Sequence, residues 1–555
     1  MSNDLSFLGF SRLTDRGPAN FSRAIHRLLL HLGFEDVFNI DGPGDGGADL
    51  IGWFDQRVWV IQCKWKKSAK VSEEAVIEAI QARNLYKANT TVVVTNTSFT
   101  AGAKRRMELA NESSTTVRLW GFNDLKNLFL DPKVCRNRIR EINFRPYQLE
   151  AYKEAKQSLA DTKRALLVLA TGLGKTVVAG ELIANHFHHS SLKKILVLAH
   201  TNELVLQLER SIWVHIEKSV ETQIVNQFEK PDDLRGITVS TIQSALPLVK
   251  KGYRPDFVFI DEAHHIGDEG MYAELLLLLE ESNHLAVTAT PWRSDKFDIQ
   301  SHFGDACYRI GIAEGMKLGY LSKVNYKLFV DNINWEWVAS ESEYGYSIKD
   351  LNRKLFLPQR DERIRDELLS VWNDTKNPRA IVFCQTIEHA ERMVALLKQV
   401  PIWDQTAALH NDIKPMRARQ KRMLDFRFGR IPILVAVDVL NEGVDVPDVN
   451  IVVFARVTHS RKIFVQQLGR GLRIAEGKEC VETLDFVSDL RRVAALMDLR
   501  ASLDDSELET KFFPSNQKIE FNDAKAERLM TEWIKDAADL ETAADATQLN
   551  FPPIS

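Results

Sequence analysis

The residues with the clearest chemistry form a glycine-rich loop, ATGLGKT, at 170–176. An apolar run, ALLVLA, precedes the loop and a helical pattern follows it, an order in which glycine N–H groups can approach phosphates at a helix N-terminus. Lys175 would reach the β- and γ-phosphates of a nucleotide, and Thr176 would ligate Mg²⁺. The general pattern also has a glycine at the position that Leu169 occupies here. We predict an ATP and Mg²⁺ site at Gly172, Gly174, Lys175 and Thr176.

Two consecutive acids, Asp261 and Glu262, end another apolar run, FVFI. An acid at the carboxyl end of a parallel strand is well placed to hold Mg²⁺, and the next acid can orient and deprotonate an attacking water. We therefore expect Asp261 to bind the metal and Glu262 to catalyse nucleotide hydrolysis.

A second polar group lies near the N-terminus, in GDGGADLIGW and the strand pattern VWVIQCKWK. Side chains alternate along a strand, so Gln62 and Lys64 share one face, and Asp49 on the partner strand can lie opposite them. Such a group suits phosphodiester hydrolysis. Asp49 and Gln62 would ligate Mg²⁺, and Lys64 would orient the attacking water or stabilise the pentacoordinate phosphate.

Further motifs follow in order between 144 and 487: FRPYQLEAY, LAHTNELVLQ, VSTIQSA, TAT, NEGVDVP and QQLGRGLR. With them the chain resembles a superfamily 2 helicase of the DEAH type, closest to the helicase part of type I and type III restriction enzymes. The resemblance implies that Gln148 reads adenine and that Thr288–Thr290 couples hydrolysis to lobe movement. It also implies that four residues grip the nucleic-acid backbone, namely Asn202, Glu203, Ser240 and Thr241.

The same resemblance assigns roles in a second lobe, where Gly443 and Asp445 would face nucleotide and strand. The motif QxxGRxxR is matched by Gln466, Gly469, Arg470 and Arg473. Charge accumulates on the transferring phosphoryl oxygens, and guanidinium groups from a second lobe stabilise it only when the cleft closes. We therefore expect Arg470 and Arg473 to be catalytic and hydrolysis to switch the lobes between open and closed.

The N-terminal group resembles the PD-(D/E)xK nucleases of the Mrr-like restriction endonuclease family over residues 15–130. That family commonly has a metal-binding glutamate on the first helix after an aromatic residue, whereas Ser22 follows Phe21 here. Glu35 is one candidate substitute, and binding of a single metal is the other interpretation. The basic residues near Trp65 and at 104–106 form either a phosphate-tracking face or an ordinary surface.

Alternating strand-like and helical patterns predict an α/β multidomain protein, and 555 residues are several times the usual domain size. A restriction-endonuclease-like α/β domain would precede two RecA-like parallel-sheet lobes and a helical tail. The expected boundaries are 1–135 for the endonuclease domain, 141–305 for ATP-binding lobe 1, 306–358 for a connector, 359–490 for lobe 2 and 491–555 for the acidic tail.

The composition of the chain bears on its cellular compartment and on its partners. The five cysteines are far apart without a CxxC pair, which argues against a disulfide scaffold and a zinc ribbon and favours a reducing cytoplasm. The N-terminus lacks a basic, apolar leader pattern, and no run of eighteen apolar residues predicts a membrane span. Residues 1–140 carry 20 basic and 15 acidic side chains, a weak indication of a polyanionic partner.

These patterns predict an ATP-dependent DNA helicase or translocase with a Mg²⁺-dependent endonuclease domain, acting on duplex or single-stranded DNA in restriction or anti-phage defence. The alternative is a DNA or RNA helicase whose N-terminal domain only binds nucleic acid, acting in DNA repair. Because we recognise no methyltransferase motif or target-recognition domain in the sequence, a protein partner is the candidate source of specificity.

Overall fold

The computed structural model describes most of the first 330 residues and parts of the remainder. The described residues are 6–35, 37–40, 48–113, 115–132, 137–187, 193–227, 229–231, 233–263, 266, 270–289, 299–329, 345–347, 361–410, 412–413, 416–427, 429–437, 449–455, 480–486, 520–521 and 548–550. The chain forms two compact units. The first contains residues 1–167, 174–288 and 297–309, and the second contains 168–173, 289–296 and 310–555.

The N-terminal part of the first unit is a five-stranded sheet in the order β1-β2-β3-β4-β5, antiparallel from β1 to β3 and parallel from β3 to β5. Its strands are β1 (Val37–Asn39), β2 (Leu50–Phe54), β3 (Arg57–Lys64), β4 (Thr90–Thr95) and β5 (Thr116–Trp120). Its helices are α1 (Phe10–Asp15), α2 (Gly17–Leu32), α3 (Glu73–Tyr86), α4 (Ala101–Glu112) and α5 (Phe122–Leu130), after a 3₁₀ turn at Ser6–Leu8.

Helices cover both faces of this sheet, which explains why every residue of β4 is buried, without alternation between buried and exposed positions. On one face, Ile25 and Leu28 of α2 pack with Ile61 and Val92. On the other face, α3 and α4 pack over the same strands. The β2–β3 hairpin turns at Asp55 and Gln56, whose φ values of 51° and 58° match the two-residue turn that suits twisted strands.

The rest of the first unit is built on a seven-stranded sheet in the order β12-β6-β11-β10-β7-β9-β8, and β11, β10, β7, β9 and β8 pair in parallel. The strands are β6 (Arg164–Leu169), β7 (Lys194–Ala199), β8 (Thr222–Val225), β9 (Gly236–Thr241), β10 (Phe257–Asp261), β11 (Asn283–Thr288) and β12 (Tyr308–Ile310). The helices are α6 (Pro146–Thr162), α7 (Lys175–Phe187), α8 (Asn202–Trp213), α9 (Ile242–Lys250), α10 (Met271–Leu278) and α11 (Gln300–Phe303).

The second unit has its own seven-stranded sheet, in the order β16-β17-β15-β18-β19-β13-β20, with parallel pairing throughout. The strands are β13 (Lys323–Phe329), β15 (Ala380–Phe383), β16 (Ala407–Leu409), β17 (Ile433–Ala436), β18 (Ile451–Phe454), β19 (Cys480–Phe486) and β20 (Glu520–Phe521); β14 (Gly345–Ser347) pairs with β21 (Gln548–Asn550). The helices are α12 (Ile312–Lys317), α13 (Asp361–Asp374), α14 (Ile387–Leu397) and α15 (Met416–Arg427), with a 3₁₀ turn at Pro401–Trp403.

The predicted mixed α/β fold is confirmed, and the apolar runs singled out in the sequence are strands. One difference concerns residues 306–358, expected to be a connector, because β13 pairs with β19 inside the second sheet. In the predicted helical tail, the described residues are β20 and β21, and the remainder lies outside the described residues. Among the described helices, none has the length and apolar character that a membrane span requires.

Candidate nuclease and nucleotide sites

Strands β2 and β3 place Asp49 beside Gln62, as their alternation predicts. Leu50 pairs with Ile61, so Asp49 lies opposite Gln62 in the antiparallel register. The Asp49 N–H donates to the Ile61 carbonyl at 2.9 Å, and the Cys63 N–H donates to the Asp49 carboxylate. The backbone of β3 thereby fixes the Asp49 side chain at the edge of the candidate site.

Glu78, which no sequence motif indicated, joins this site. Gln62 Nε2 and Lys64 Nζ both donate to Oε2 of Glu78, each at 2.6 Å. Glu78 lies on α3, whose apolar face packs on β3 and β4. The chain therefore brings an amide, a lysine and a carboxylate together on the face of β3 that α3 covers.

The electrostatics of Glu78 follow from these two contacts. Partial burial acts to raise the pKa of Glu78, but the hydrogen bonds from Lys64 and Gln62 outweigh it and hold the pKa below its ordinary value. Glu78 is therefore charged at neutral pH. It is available as a hard oxygen ligand or as a partner for Lys64.

Gln62 supplies the observation that bears most directly on a metal. Its side chain is only 2% exposed, and no described residue donates a hydrogen bond to its Oε1. A buried oxygen without a donor is costly unless something else satisfies it. Carboxylate and amide oxygens are the ligands that Mg²⁺ prefers, so Asp49, Gln62 and Glu78 fit a divalent cation.

The two positions considered for the family's helix glutamate do not join this group. Ser22 is buried in α2 with 4% exposure. Glu35 is exposed, and its N–H donates to the carbonyl of Trp53, toward the end of β2 away from Asp49. Glu78 could have been found from its spacing, because the crossover from β3 through α3 to β4 must bring the helix back across Gln62 and Lys64.

The basic residues after Lys64 lie along the same end of the sheet. Lys66 N–H donates to Asn96 Oδ1 at 2.8 Å, and Asn96 Nδ2 donates back to the Lys66 carbonyl at 2.8 Å. Val71 then pairs with Phe99, just before α4 begins. The exposed lysines at 66, 67 and 70 therefore adjoin the segment that leads into Lys104, Arg105 and Arg106.

The glycine-rich loop lies between β6 and α7, as predicted. Gly172 and Gly174 have φ values of 92° and 78°, a region that disfavours other residues. A Cβ at Gly174 would come within 2.6 Å of Gln148 Nε2. Gln148 also caps α6, since its Oε1 accepts from the Arg145 N–H at 3.0 Å. The predicted adenine reader thus abuts the phosphate-binding loop, a proximity that the sequence did not reveal.

The two groups predicted to act on a nucleotide contact each other directly. Lys175 Nζ donates to Glu262 Oε1 at 2.9 Å, and the two side chains are 11% and 15% exposed. Asp261 is the last residue of β10, and Glu262 follows with a φ of 49°, a strained value for a residue that is not glycine. Thr176 is the second residue of α7.

Other predicted helicase residues have mixed outcomes. Thr201 caps α8 through a 3.3 Å bond from the Leu204 N–H, which places Asn202 at the helix N-terminus. The Ser240 hydroxyl is fully buried and donates to the Val225 carbonyl at 2.8 Å, so in this structure it is not available to nucleic acid. The predicted second-lobe residues Gly443, Asp445, Gln466, Gly469, Arg470 and Arg473 lie outside the described residues.

The fold and the two sites together define a nucleotide-binding α/β protein with a nuclease-like domain at its N-terminus. Comparison with known families agrees. The chain matches a restriction endonuclease catalytic family of the Mrr type over residues 14–129, the res subunit of type III restriction enzymes over 141–293, and the helicase conserved C-terminal domain over 359–475. The chain therefore carries an Mrr-type restriction endonuclease domain, followed by one region that matches the res subunit of type III restriction enzymes and one that matches the helicase C-terminal domain.

Individual known proteins are similar to parts of this chain. The putative mitochondrial ATP-dependent helicase irc3 of Schizosaccharomyces pombe is 29% identical over 68% of this chain and 63% of its own length. The type I restriction enzyme EcoAI endonuclease subunit of Escherichia coli is 27% identical over 62% of this chain and 46% of its own. The type ISP restriction-modification enzyme LlaBIII bound to DNA has a TM-score of 0.47 at 18% identity, covering 86% of this chain and 37% of that one. This chain spans less than two thirds of each of these three.

Proposed function

We propose that this protein is an ATP-dependent DNA translocase or helicase that cuts DNA with its N-terminal domain, in the restriction of foreign DNA. One observation carries the proposal. Gln62 and Lys64 converge on Glu78 beside Asp49, in a chain whose other domains match the motors of restriction enzymes.

In the nuclease domain, Asp49, Gln62 Oε1 and Glu78 would hold a divalent cation. When bound, Mg²⁺ would stabilise charge on the phosphate and make an attacking water more acidic. Lys64 would exchange its contact with Glu78 for a phosphate oxygen or the attacking water. The lysines at 66, 67 and 70 would track the DNA backbone beside the cut.

In the motor, the Lys175–Glu262 contact gives nucleotide binding a second consequence. Lys175 would leave Glu262 for the β- and γ-phosphates of ATP, while Thr176 and Asp261 would hold Mg²⁺. Glu262 would then be released to orient the attacking water. When Lys175 exchanges Glu262 for the phosphates, the exchange would therefore both bind the nucleotide and free Glu262 to act as the base. Gly172 and Gly174 would contact the phosphates, and Gln148 would read adenine beside them.

Incubation with supercoiled plasmid, Mg²⁺ and ATP tests the nuclease part. Lys64→Ala should abolish cleavage, whereas Arg57→Ala, at the opposite end of the same strand, should cut like the wild type. Replacing Mg²⁺ by a chelator should also stop cleavage. Equal cleavage by Lys64→Ala and Arg57→Ala would refute the assignment of this site.

The polymer that stimulates hydrolysis tests the substrate. We expect DNA to stimulate ATP hydrolysis well above the level seen with RNA of equal length. Stimulation by RNA alone would instead indicate an RNA helicase. We further propose a cytoplasmic location and a protein partner that supplies target specificity; the EcoAI relative is itself named as a subunit.

A further inference from the structure

The first long helix of the nuclease domain is buried on two faces. One face carries the apolar residues that pack on the nuclease sheet. The opposite face carries Arg23, His26 and Arg27, which are nevertheless 7%, 3% and 1% exposed. They are covered by α8, by β8 and by the segment between these elements, all within the same compact unit. We call these contacts the docking interface.

Arg23 is the centre of the docking interface. Its guanidinium lies 3.1 Å from Glu209 on α8 and 2.5 Å from Glu229, which follows β8. Burial acts against the charge, but the two carboxylates outweigh it and raise the pKa of Arg23. Glu209 in turn accepts from the Thr222 hydroxyl at 2.9 Å. Buried charges without partners are strongly destabilising, so this arrangement requires both domains to be in place.

Arg27 is held by backbone carbonyls and an aromatic ring, whereas Arg23 is held by carboxylates. It donates to the Val220 carbonyl at 2.8 Å and to the Glu217 carbonyl at 2.9 Å, and its guanidinium lies 4.4 Å from the Phe7 ring centre. In the opposite direction, Lys218 Nζ donates to the Phe129 carbonyl at 3.0 Å. Arginines of one domain and a lysine of the other are therefore bound across the same interface.

Helix α8 connects the docking interface to the motor. It begins at Asn202, one of the residues expected to grip the nucleic-acid backbone, and it ends at Trp213. Glu209 and Trp213, which contact Arg23 and His26, lie in the second half of this helix. A twelve-residue helix is a rigid element about 18 Å long, so displacement of one end moves the other.

On the nuclease side, a short series of contacts connects the docking interface to β3, the strand that carries Lys64. Arg12 on α1 forms an ion pair with Glu221. The next residue of α1, Leu13, accepts a 2.8 Å hydrogen bond at its carbonyl from Trp65 Nε1. Trp65 immediately follows Lys64. Only a few residues therefore separate the docking interface from the lysine of the nuclease site.

We propose that the nuclease domain stays docked on the first motor lobe throughout the ATP cycle, so that α8 and β3 belong to one rigid body. The nuclease would then cut at a fixed distance from the place where the lobe grips DNA. It would not act as a domain on a free tether. The functional consequence rests on the proposed function, whereas the docking itself can be measured independently of it.

A covalent lock is the most direct test. Arg16 Nη2 donates to the Asp233 carbonyl across the interface at 3.2 Å. In the full-length protein, Arg16→Cys and Asp233→Cys would be joined by a short bismaleimide, with reagent-treated wild type controlling for native cysteines. The locked enzyme should keep at least half of its ATP hydrolysis and ATP-dependent cleavage. Loss of cleavage by more than tenfold with hydrolysis intact would overturn the proposal.

Loosening the interface is the complementary test. Arg23→Gln with Glu209→Gln should leave DNA-stimulated hydrolysis within twofold of wild type but reduce ATP-dependent cleavage at least tenfold. The matched control is Lys250→Gln with Glu274→Gln, an exposed ion pair at 2.7 Å on the same lobe. Cleavage equal to that of the control would contradict the proposal.

Calorimetry separates failure of docking from failure of the proposed function. If the wild type cuts no DNA, the proposed nuclease is wrong, and the unfolding profile still decides about docking. The interface variant should then show an additional transition lower by roughly 5 °C or more, and the control should not. Identical profiles for the two variants would refute a rigid attachment.

Discussion

At the scale of single residues, Glu78 has the strongest claim to a role that the sequence did not assign. It receives hydrogen bonds from both Gln62 and Lys64. Glu78→Ala should therefore lower DNA cleavage by about 100-fold or more, because a charged ligand and the partner of Lys64 are lost together. ATP hydrolysis should be unchanged, and the comparison of initial cleavage rates measures the effect.

A neighbouring acid provides the control for this prediction. Glu74 lies one turn earlier on the same helix and is exposed. Glu74→Ala should cut DNA at the wild-type rate. Equal cleavage by the Glu78 and Glu74 variants would show that Glu78 only holds the resting structure.

The Lys175–Glu262 contact leads to a second prediction at this scale. Lys175→Ala should reduce DNA-stimulated ATP hydrolysis by about 100-fold or more, because it removes the phosphate contact. Lys163→Ala, which breaks an exposed 2.8 Å ion pair with Glu281, should have little effect. Phosphate release measures both, and substantial hydrolysis by Lys175→Ala would exclude this loop as the ATP site.

The residues of the nuclease site differ in how far the sequence predicts their positions. Strand alternation was enough to predict that Asp49, Gln62 and Lys64 face one another, because the period of a strand leaves little choice. Strand alternation says nothing about α3, so Glu78 is indicated only by the crossover from β3 to β4, which carries α3 back over Gln62 and Lys64. The family pattern places an acid near Ser22, but α2 packs on the face of the sheet opposite to the one that α3 and Glu78 cover.

At the scale of elements, α2 departs most from what its pattern suggests. Its apolar residues predicted the face that packs on the nuclease sheet, and that face is confirmed. The opposite face, with its arginines and histidine, reads in the sequence as an ordinary solvated surface. Its partners are about 190 to 210 residues away in the chain, so no local pattern could indicate that it is buried.

His26 makes the buried face of α2 sensitive to pH. Burial, and then the nearby Arg210, hold the pKa of His26 well below its ordinary value, and its ring packs at 5.5 Å from that of Trp213. In the unfolded chain His26 titrates near pH 6.5. The unfolded state therefore binds more protons below that pH, so the stabilisation is present above pH 6.5 and is lost as pH falls.

The resulting prediction compares wild type with His26→Gln. Between pH 7.5 and 5.5, the free energy of unfolding of the first unit should fall more steeply in the wild type, by about 1 kcal/mol. Urea titrations at each pH measure this difference. Parallel pH profiles would show that His26 is already protonated or exposed in the folded protein.

At the scale of the whole molecule, the order of the motifs predicted the order of the domain families. Successive buried strands and helices indicate parallel sheets wherever they occur, so two lobes were visible without a structure. The packing of the nuclease domain on the first lobe could not be predicted in this way. The two share one compact unit through charged residues, which read as solvated in the sequence. Strand β13 was likewise not predicted. It lies in a stretch that reads as a polar connector, and its strand partners, β19 and β20, are distant in the sequence.

The central claim is that one chain holds two separable chemistries, which can be tested by removing each in turn. Wild type, Lys64→Ala and Lys175→Ala would be incubated with the same supercoiled plasmid, Mg²⁺ and ATP, while phosphate release and plasmid cleavage are followed together. We expect Lys64→Ala to hydrolyse ATP normally and to leave the plasmid intact. Lys175→Ala should lose hydrolysis and, with it, ATP-dependent cleavage. A wild type that hydrolyses ATP on DNA without cutting it, or a Lys64→Ala variant that cuts normally, would contradict the account.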